Sequence, residues 1–321
     1  MRRSALTAAL TLALAGTATA QTCPYQNLLP EFAQLVAATG DLAPPARAAA
    51  FAERFAARHP DFYGEQPFGS PGQLIENAAR LFDPQRAPTY DGSRAITLED
   101  ILATARTITA DYARIEATFR AAFPDFRCDT RITFGISLYL FDGNQAVDAL
   151  GKSQLRFGID TIALLHSQRE LSAFFHHELF HMYQAQVLGA AVPPDATQPV
   201  WWALWNEGLA TYVSGQLNPT LTAAEIFWVP RDLEAQLQPR LAEAARLMLV
   251  ELDGHDGYSR WFEGGSSRPG LPPRSGYYLG YRMAKQLDRG DLAALARMPP
   301  DRVQREARAF LESLARDAAR R

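Results

Sequence analysis

Residues 174–183 place ionisable side chains inside an apolar stretch and limit what this chain can fold into. They read Phe-Phe-His-His-Glu-Leu-Phe-His-Met-Tyr, with His177 and His181 four positions apart. On a helix this spacing puts both imidazoles on one face, about one turn apart, so one cation can bind both. A buried histidine pair without a partner would be costly. The stretch therefore predicts a buried helix with a metal site.

Glu178 follows the first histidine and completes the pattern H-E-x-x-H. From this position a carboxylate can reach a water in the metal site without binding the ion, as the general base of a zinc hydrolase does. His176 is also adjacent, but the residue four positions after it is Phe180, which is no ligand. We therefore predict that Glu178 is catalytic and that His176 packs behind the site.

A second segment, residues 202–212, contains a further candidate ligand. It reads Trp-Ala-Leu-Trp-Asn-Glu-Gly-Leu-Ala-Thr-Tyr, and its Glu207 lies 26 positions after His181. A catalytic zinc ion typically takes three protein ligands and keeps a fourth position open. The separation allows the first helix to end and a second helix to return beside it. Gly208 and Ala210 are small, which would let the two helices approach closely.

The first twenty residues have the features of an export signal. Arg2 and Arg3 precede an apolar run, and residues 18–20 (Ala-Thr-Ala) form a cleavage pattern. We expect a signal peptide that is cleaved after Ala20 and a periplasmic or secreted protein. A membrane anchor is the alternative, but a span needs ~20 apolar residues and no stretch approaches that length. We therefore predict no membrane span in the mature chain.

The net charge limits the kinds of binding partner to expect, and the cysteine content indicates the redox compartment. Lys and Arg number 32 against 35 Asp and Glu, and a net charge of -3 gives no reason to expect a nucleic-acid partner. Cys23 and Cys128 are the two cysteines of the chain, and in an oxidising compartment they most simply pair. Such a disulfide would tie the mature N-terminus to the segment before the first predicted strand. Two free thiols are the alternative.

The patterning predicts an α+β fold that is predominantly helical. Residues 21–129 are expected to form a helical N-terminal region, and residues 130–321 a catalytic region that ends in helices. Two β-branched and aromatic segments, 131–141 and 157–164, predict strands of a small antiparallel or mixed sheet beside the motif helix. Asp142-Gly143-Asn144 is a turn signal that would close the first strand.

Helical periodicity and Gly/Pro content divide the rest of the chain. Thr97-x-x-Asp100 resembles a capping box that opens a long helix. Loops as long as those at 63–94 and 253–275 are usually functional or disordered, and we expect both to form the walls of a cleft. Helices are predicted at 73–81, 97–123, 170–187, 200–217, 222–252, 277–287 and 301–321.

Together the two motifs resemble those of the gluzincin metallopeptidases, which share H-E-x-x-H and a later zinc-binding glutamate. The segment 202–212 is similar to the W-L-N-E-G-F-A-x-Y segment of alanyl-aminopeptidase and leukotriene-hydrolase type enzymes, and the likeness covers about 157–287. It implies a zincin-like core with one zinc ion per chain. By this resemblance His177, His181 and Glu207 bind the zinc, and Glu178 polarises the attacking water.

The same resemblance implies an oxyanion-stabilising tyrosine three residues before a glycine. Tyr277 has that spacing to Gly280, and Tyr278 is the alternative. A phenol can donate a hydrogen bond to the developing oxyanion, which often lowers a barrier by several kcal/mol. A buried tyrosine that only packs at a helix start is the non-catalytic interpretation.

Two departures from the aminopeptidases refine the expected substrate. Their G-x-M-E-N segment, which holds the free amine of the substrate, has no counterpart: residues 157–161 contain no glutamate. The resemblance therefore implies an endopeptidase or oligopeptidase, and that strand could pair with an extended peptide. Thr211 replaces a carboxylate that orients a zinc histidine in some gluzincins. In these departures the chain resembles a smaller, separate branch of the gluzincins, the predicted zinc-dependent proteases.

The sequence thus predicts an exported zinc peptidase acting on a peptide or protein. One alternative is a non-catalytic zinc-binding or interaction protein with the same fold. Another is a hydrolase of a non-peptide amide or ester. Glu178 favours an enzyme, because metal binding alone does not need that carboxylate.

Overall fold

The computed structural model describes residues 23–89, 95–128, 130–147, 152–193, 198–264 and 270–317. The signal peptide predicted for residues 1–20 lies outside these ranges. Within them the chain forms fifteen α-helices and one four-stranded sheet, which confirms the predominantly helical α+β class. None of the helices described there is long and apolar enough to cross a membrane.

The elements follow one another along the chain in this way. The strands are β1 (Tyr25–Asn27), β2 (Arg131–Gly135), β3 (Gly143–Val147) and β4 (Ser153–Gly158). The helices before the sheet are α1 (Leu29–Ala38), α2 (Pro44–Arg54), α3 (Glu65–Phe68), α4 (Pro71–Phe82) and α5 (Leu98–Ala122). Those after it are α6 (Ile159–Leu165), α7 (Leu171–Leu188), α8 (Val200–Leu217), α9 (Ala223–Phe227), α10 (Leu233–Leu237), α11 (Leu241–Glu251), α12 (Tyr258–Phe262), α13 (Ser275–Leu287), α14 (Leu292–Ala296) and α15 (Pro300–Asp317).

The sheet is mixed and has the order β1-β2-β4-β3. Strands β1, β2 and β4 are parallel, whereas β3 runs antiparallel to β4 and forms an edge. The predicted Cys23–Cys128 disulfide is present and joins the residues just before β1 and β2. It closes a loop of 105 residues, for which the chain-entropy estimate is a stabilisation of about 4–5 kcal/mol.

The strand predicted at 157–164 is wrong over most of its length. Strand β4 ends at Gly158, and helix α6 begins at once. Residues 157–162 are all buried, the polar ones included, so they show no periodicity that separates a strand from a helix. Asp160 is therefore not a residue on a strand face. Its carboxylate accepts hydrogen bonds from the backbone N–H groups of Ser137 and Tyr139, both at 2.6 Å.

The first predicted strand is also shorter than expected. Strand β2 stops at Gly135, and the chain then turns with left-handed backbone at Leu138 (φ 58°) and Tyr139 (φ 63°). The carboxylate of Asp160 holds this turn, which no local pattern in 131–141 indicates. The expected turn at Asp142-Gly143-Asn144 instead leads into strand β3.

The single helix predicted at 222–252 is wrong, because the chain there forms α9, α10 and α11 separated by breaks. Pro230 has no N–H and restricts the residue before it, so a helix cannot continue through this point. Helix α9 accordingly ends at Phe227, and Trp228 takes a left-handed φ of 60°. This break turns the Trp228 indole toward the histidines of α7, with ring centroids 5.3 Å from His177.

The remaining predicted helices agree closely with the structure, whereas α6, α12 and α14 were not predicted. The capping box of α5 is formed by Thr97 and Asp100, and α8 spans the predicted residues 200–217. Helix α13 begins at Ser275, two residues before the predicted start, and α12 lies inside the predicted loop 253–275.

Helices α8 and α13 cross at a contact between two glycines. A Cβ built on Gly280 would lie 2.7 Å from the Cα of Gly208 and closer still to the carbonyl oxygen of Leu204. The small size of Gly208 thus serves α13, not the predicted approach of α7. This crossing brings Tyr277, one turn before Gly280, toward Glu207.

We expect Gly280→Ala to destabilise the protein by about 1–3 kcal/mol, because the added methyl group must push two helices apart. Alanine is more favourable than glycine in a helix by about 1 kcal/mol, so the steric clash must cost more than this gain in helix propensity. Thermal unfolding measures the change. Gly215→Ala in α8 is the matched control, since its Cβ meets nothing nearer than 3.8 Å and should be neutral or stabilising. Equal effects of the two substitutions would contradict the tight crossing.

Candidate metal centre

Three predicted ligands meet where α7 packs against α8. The Nε2 atoms of His177 and His181 are 3.0 Å apart. The Oε2 atom of Glu207 lies 3.3 Å from the first and 3.6 Å from the second. His177 and Glu207 are buried and His181 is partly buried, and these three residues could hold a metal ion.

The other nitrogen of each imidazole points toward an oxygen of α8. Nδ1 of His181 is 3.2 Å from Oδ1 of Asn206. Nδ1 of His177 is 3.5 Å from Oγ1 of Thr211, whose hydroxyl donates to the carbonyl oxygen of Glu207. These acceptors favour a proton on both Nδ1 atoms, which leaves both Nε2 lone pairs directed at the same point. Thr211 therefore lies where the resemblance implies an orienting group.

The spacing of the donors fits a bound cation. Two lone pairs at 3.0 Å repel each other unless a proton or a metal ion lies between them. Zinc ligands at 2.0–2.1 Å in tetrahedral geometry are about 3.3–3.4 Å from one another. The three separations of 3.0, 3.3 and 3.6 Å bracket that value. The side chains are thus arranged for a metal ion without a large rearrangement.

Burial and charge set the protonation of the two carboxyl groups. Burial raises the pKa of Glu178 to about 8, with an added contribution from Asp142 and an opposing one from His181. Burial also acts to raise the pKa of Glu207, but His181 and His177 outweigh it and hold that pKa well below its usual range. Glu207 is therefore charged beside the histidines. The carboxylate form of Glu178 is a stronger base than that of a free glutamate, because its pKa is raised.

The site lies between two cavities that share Glu178, His181, Glu207 and Tyr258 in their walls. The first has a volume of about 400 Å³, and we call it the Trp228 cavity. The second, about 440 Å³, includes residues 143–145 of β3 in its wall, and we call it the strand cavity. Three donors between two open volumes allow an extended ligand to pass over the site.

The loop prediction is confirmed for one of the two expected walls. Tyr258, Phe262 and Gly264, from the predicted loop 253–275, line the Trp228 cavity. No described residue of 63–94 lines either cavity. That segment packs beneath the turn after β2 instead, where the hydroxyl of Tyr63 donates to the carbonyl oxygen of Ile136.

The two candidate oxyanion tyrosines point in different directions. Tyr277 lines the Trp228 cavity, with its ring centroid 6.2 Å from that of His177. The hydroxyl of Tyr278 faces a separate surface groove, where its one proton can be donated to Oε1 of Glu234 at 3.0 Å or to Oε1 of Gln238 at 2.7 Å. Burial raises the pKa of Tyr277, so its phenol stays protonated and able to donate. Of the two, Tyr277 is placed to reach a ligand at the site.

Sequence reasoning missed Tyr258, which touches a candidate ligand directly. Its hydroxyl donates to Oε1 of Glu207 at 3.3 Å, the oxygen not turned to the histidines. No motif marks this residue, and its position in a long loop was the only available signal. His176, by contrast, has the predicted supporting role: its ring bridges the carbonyl of Ile115 and the amide of Asn218.

No protein-family model, no curated protein and no solved structure matches this chain. The indications of function therefore come from the site itself. It combines two imidazoles and a carboxylate around one point, a second, partly buried carboxyl group beside them, and cavities on both sides.

Proposed function

We propose that this protein is an exported, zinc-dependent peptidase that acts as an endopeptidase or oligopeptidase. The observation that carries the proposal is the convergence of His177, His181 and Glu207 beside the partly buried Glu178 in a two-sided cleft. A purely structural zinc site is usually closed by four protein ligands, whereas three ligands and an open side are typical of a catalytic one.

Each side chain has a role in this reaction. When bound, a zinc ion would lower the pKa of a water and polarise the substrate carbonyl. Glu178 accepts a proton from the attacking water and later donates it to the leaving amine. Tyr277 donates a hydrogen bond to the oxyanion. Tyr258 and Thr211 orient Glu207 and His177, respectively, through the contacts described above.

The two cavities support cleavage within a chain. Strand β3 is an edge of the sheet and borders the strand cavity, so an extended peptide could add to it through main-chain hydrogen bonds. The strand that contains Phe157 cannot do this, because β4 lies between β2 and β3. Asp160 is engaged by Ser137 and Tyr139, which leaves it unable to hold a substrate amine.

The test combines metal analysis with cleavage of N-acetylated peptides. Purified protein should contain about one zinc ion per chain and should hydrolyse members of an acetylated peptide library. Absence of tightly bound zinc would overturn the metal site. Cleavage confined to peptides with a free amine would replace the endopeptidase assignment by an aminopeptidase. Zinc without any cleavage would favour the non-catalytic zinc-binding alternative.

Export is supported by the Cys23–Cys128 disulfide, because such bonds persist in oxidising compartments. The N-terminal sequence of the protein recovered from the periplasm or the medium should begin at Gln21. An intact Met1 on exported protein would contradict cleavage after Ala20.

We expect Asn206→Leu to weaken zinc binding by ~10–100-fold, because His181 loses the acceptor that holds its tautomer and its ring direction. Competition with a chelator measures the affinity. Thr211→Val should have the smaller effect, since its contact with His177 is 3.5 Å against 3.2 Å for the Asn206 contact. Unchanged affinity in Asn206→Leu would show that this acceptor does not support the ligand.

A further inference from the structure

An arginine lines the Trp228 cavity and has no acidic partner among the described residues. The guanidinium of Arg274 lies 4.1 Å from the ring centroid of Tyr277 and 5.7 Å from that of Trp228. One of its NH groups donates to the carbonyl oxygen of Val229 at 3.1 Å. A guanidinium has five N–H donors, so this contact and a second one to the phenol oxygen of Tyr277 still leave donors available to a ligand.

The backbone holds Arg274 in place for such a contact. The residue follows Pro272 and Pro273 and takes a left-handed φ of 60° at the start of α13. For a non-glycine residue this conformation is uncommon and costs free energy, so it persists only where the surroundings impose it. The two aromatic rings and the Val229 carbonyl contact the guanidinium and hold it in the cavity wall.

His166 lines the same cavity and has no hydrogen-bond partner at either ring nitrogen within the described part of the chain. It is 6% exposed, with its ring 4.7 Å from both Trp228 and Phe174. Burial and, after it, the charge of Arg274 lower the pKa of His166 to about 3, so the ring is neutral. A neutral imidazole still has one N–H to donate, and leaving it unpaired in a buried site is unfavourable.

We propose that Arg274 and His166 bind a carboxylate of the substrate in the Trp228 cavity, and that this peptidase prefers peptides with an acidic group beside the scissile bond. The proposal rests on the peptidase function and adds its substrate class. The carboxylate is an acidic side chain or the C-terminal group of a short peptide. The planar fork of arginine matches either one through paired hydrogen bonds.

The other charged residues of the Trp228 cavity are consistent with a preference for acidic substrates. Its acidic members are Asp142, Glu178 and Glu207, and Asp142 lies close enough to Glu178 to raise its pKa. The charge of Arg274 acts on both His166 and His177, so a carboxylate bound by Arg274 would lie next to the candidate metal site. A basic substrate side chain in the same place would be repelled by Arg274.

The test uses N-acetylated hexa-alanine peptides with a single Asp at each position in turn, and matched peptides with Asn. Each peptide is prepared as the free acid and as the C-terminal amide. Binding is measured at equilibrium to zinc-loaded Glu178→Gln, and kcat/KM is measured on the wild type. We expect an Asp peptide or a free-acid peptide to bind about tenfold or more tightly than its neutral match. Sensitivity to Asn identifies a side chain, and sensitivity to amidation identifies the C-terminus.

Arg274→Gln, made in the Glu178→Gln background for binding, should remove this preference, so that acidic peptides bind no more tightly than their neutral matches. Arg274→Lys should keep part of it, because the charge remains without the planar fork. Arg282→Gln, on the same helix but outside the cavity, is the matched control and should keep the full preference. Equal affinity for acidic and neutral peptides in the Arg274-containing protein would overturn the proposal, as would an equal loss for both classes in Arg274→Gln.

Binding and turnover separate this proposal from the peptidase function. If the wild type cleaves no peptide but binding still depends on a carboxylate and on Arg274, the peptidase assignment fails and the carboxylate site stands. If peptides are cleaved without regard to charge, the peptidase assignment stands and the carboxylate site fails.

Discussion

Replacing Glu178 with glutamine is expected to reduce peptide hydrolysis by a factor of ~10²–10⁴ while the zinc content stays at about one per chain. The amide cannot accept a proton from the attacking water. It has almost the same volume as the carboxylic acid, so the packing of α7 is kept. Glu178 is not one of the three candidate metal donors, which are His177, His181 and Glu207, so the substitution leaves all three in place.

The control for this variant is Glu234→Gln. Glu234 accepts a hydrogen bond from Tyr278 in the separate surface groove and does not line the Trp228 cavity or the strand cavity. Hydrolysis should be unchanged in this protein. Rates are measured on the acetylated peptide that the wild type cleaves best, with zinc content and thermal unfolding recorded for each variant. Full activity of Glu178→Gln with zinc bound would exclude Glu178 as the general base.

The second large effect is expected for His177→Ala, which should lower the zinc content from about one per chain to near zero. Only one imidazole and one carboxylate would remain, and two donors cannot complete a catalytic zinc site. A ligand at 1,000 times its dissociation constant stabilises the folded state by about 4 kcal/mol. We expect zinc to raise the unfolding temperature of the wild type in this way and not that of His177→Ala.

The comparison must be made within each variant, with and without zinc. Removing a buried imidazole also creates a cavity, which lowers the stability of the metal-free protein for a reason unrelated to zinc. The increase in unfolding temperature on adding zinc is free of this effect, because the same variant is measured with and without the ion. His255→Ala changes an exposed histidine outside both cavities and should keep the full increment. A normal increment in His177→Ala would mean that zinc binds elsewhere.

Local rules explain why much of the site could be predicted from the sequence. His177 and His181 lie on one face of α7 because an i, i+4 pair does so on any helix. Capping residues and apolar periodicity placed α5, α8 and α13 within two residues of their observed starts. The cysteine pair could be predicted because only one pairing exists.

Other parts of the site depend on contacts between distant segments. Residues 157–162 are all buried, so the apolar residues of this run fit a strand and a helix equally well. The break at Trp228 needs Pro230, but only the packing against α7 shows that the indole turns toward His177. The contact between Gly208 and Gly280 joins helices more than seventy residues apart, and it decides that Tyr277 rather than Tyr278 faces the cavity.

The amino-acid sequence was enough to predict the helical class, the disulfide partners and the candidate donors His177, His181 and Glu207 with Glu178 beside them. These features follow from spacing along single helices and from residue chemistry. The tertiary structure alone decided that the donors face one another between two cavities, and that Tyr258, His166 and Arg274 surround them. Those three residues lie outside both motifs and are brought to the site by chain breaks and close helix packing, which local periodicity does not encode.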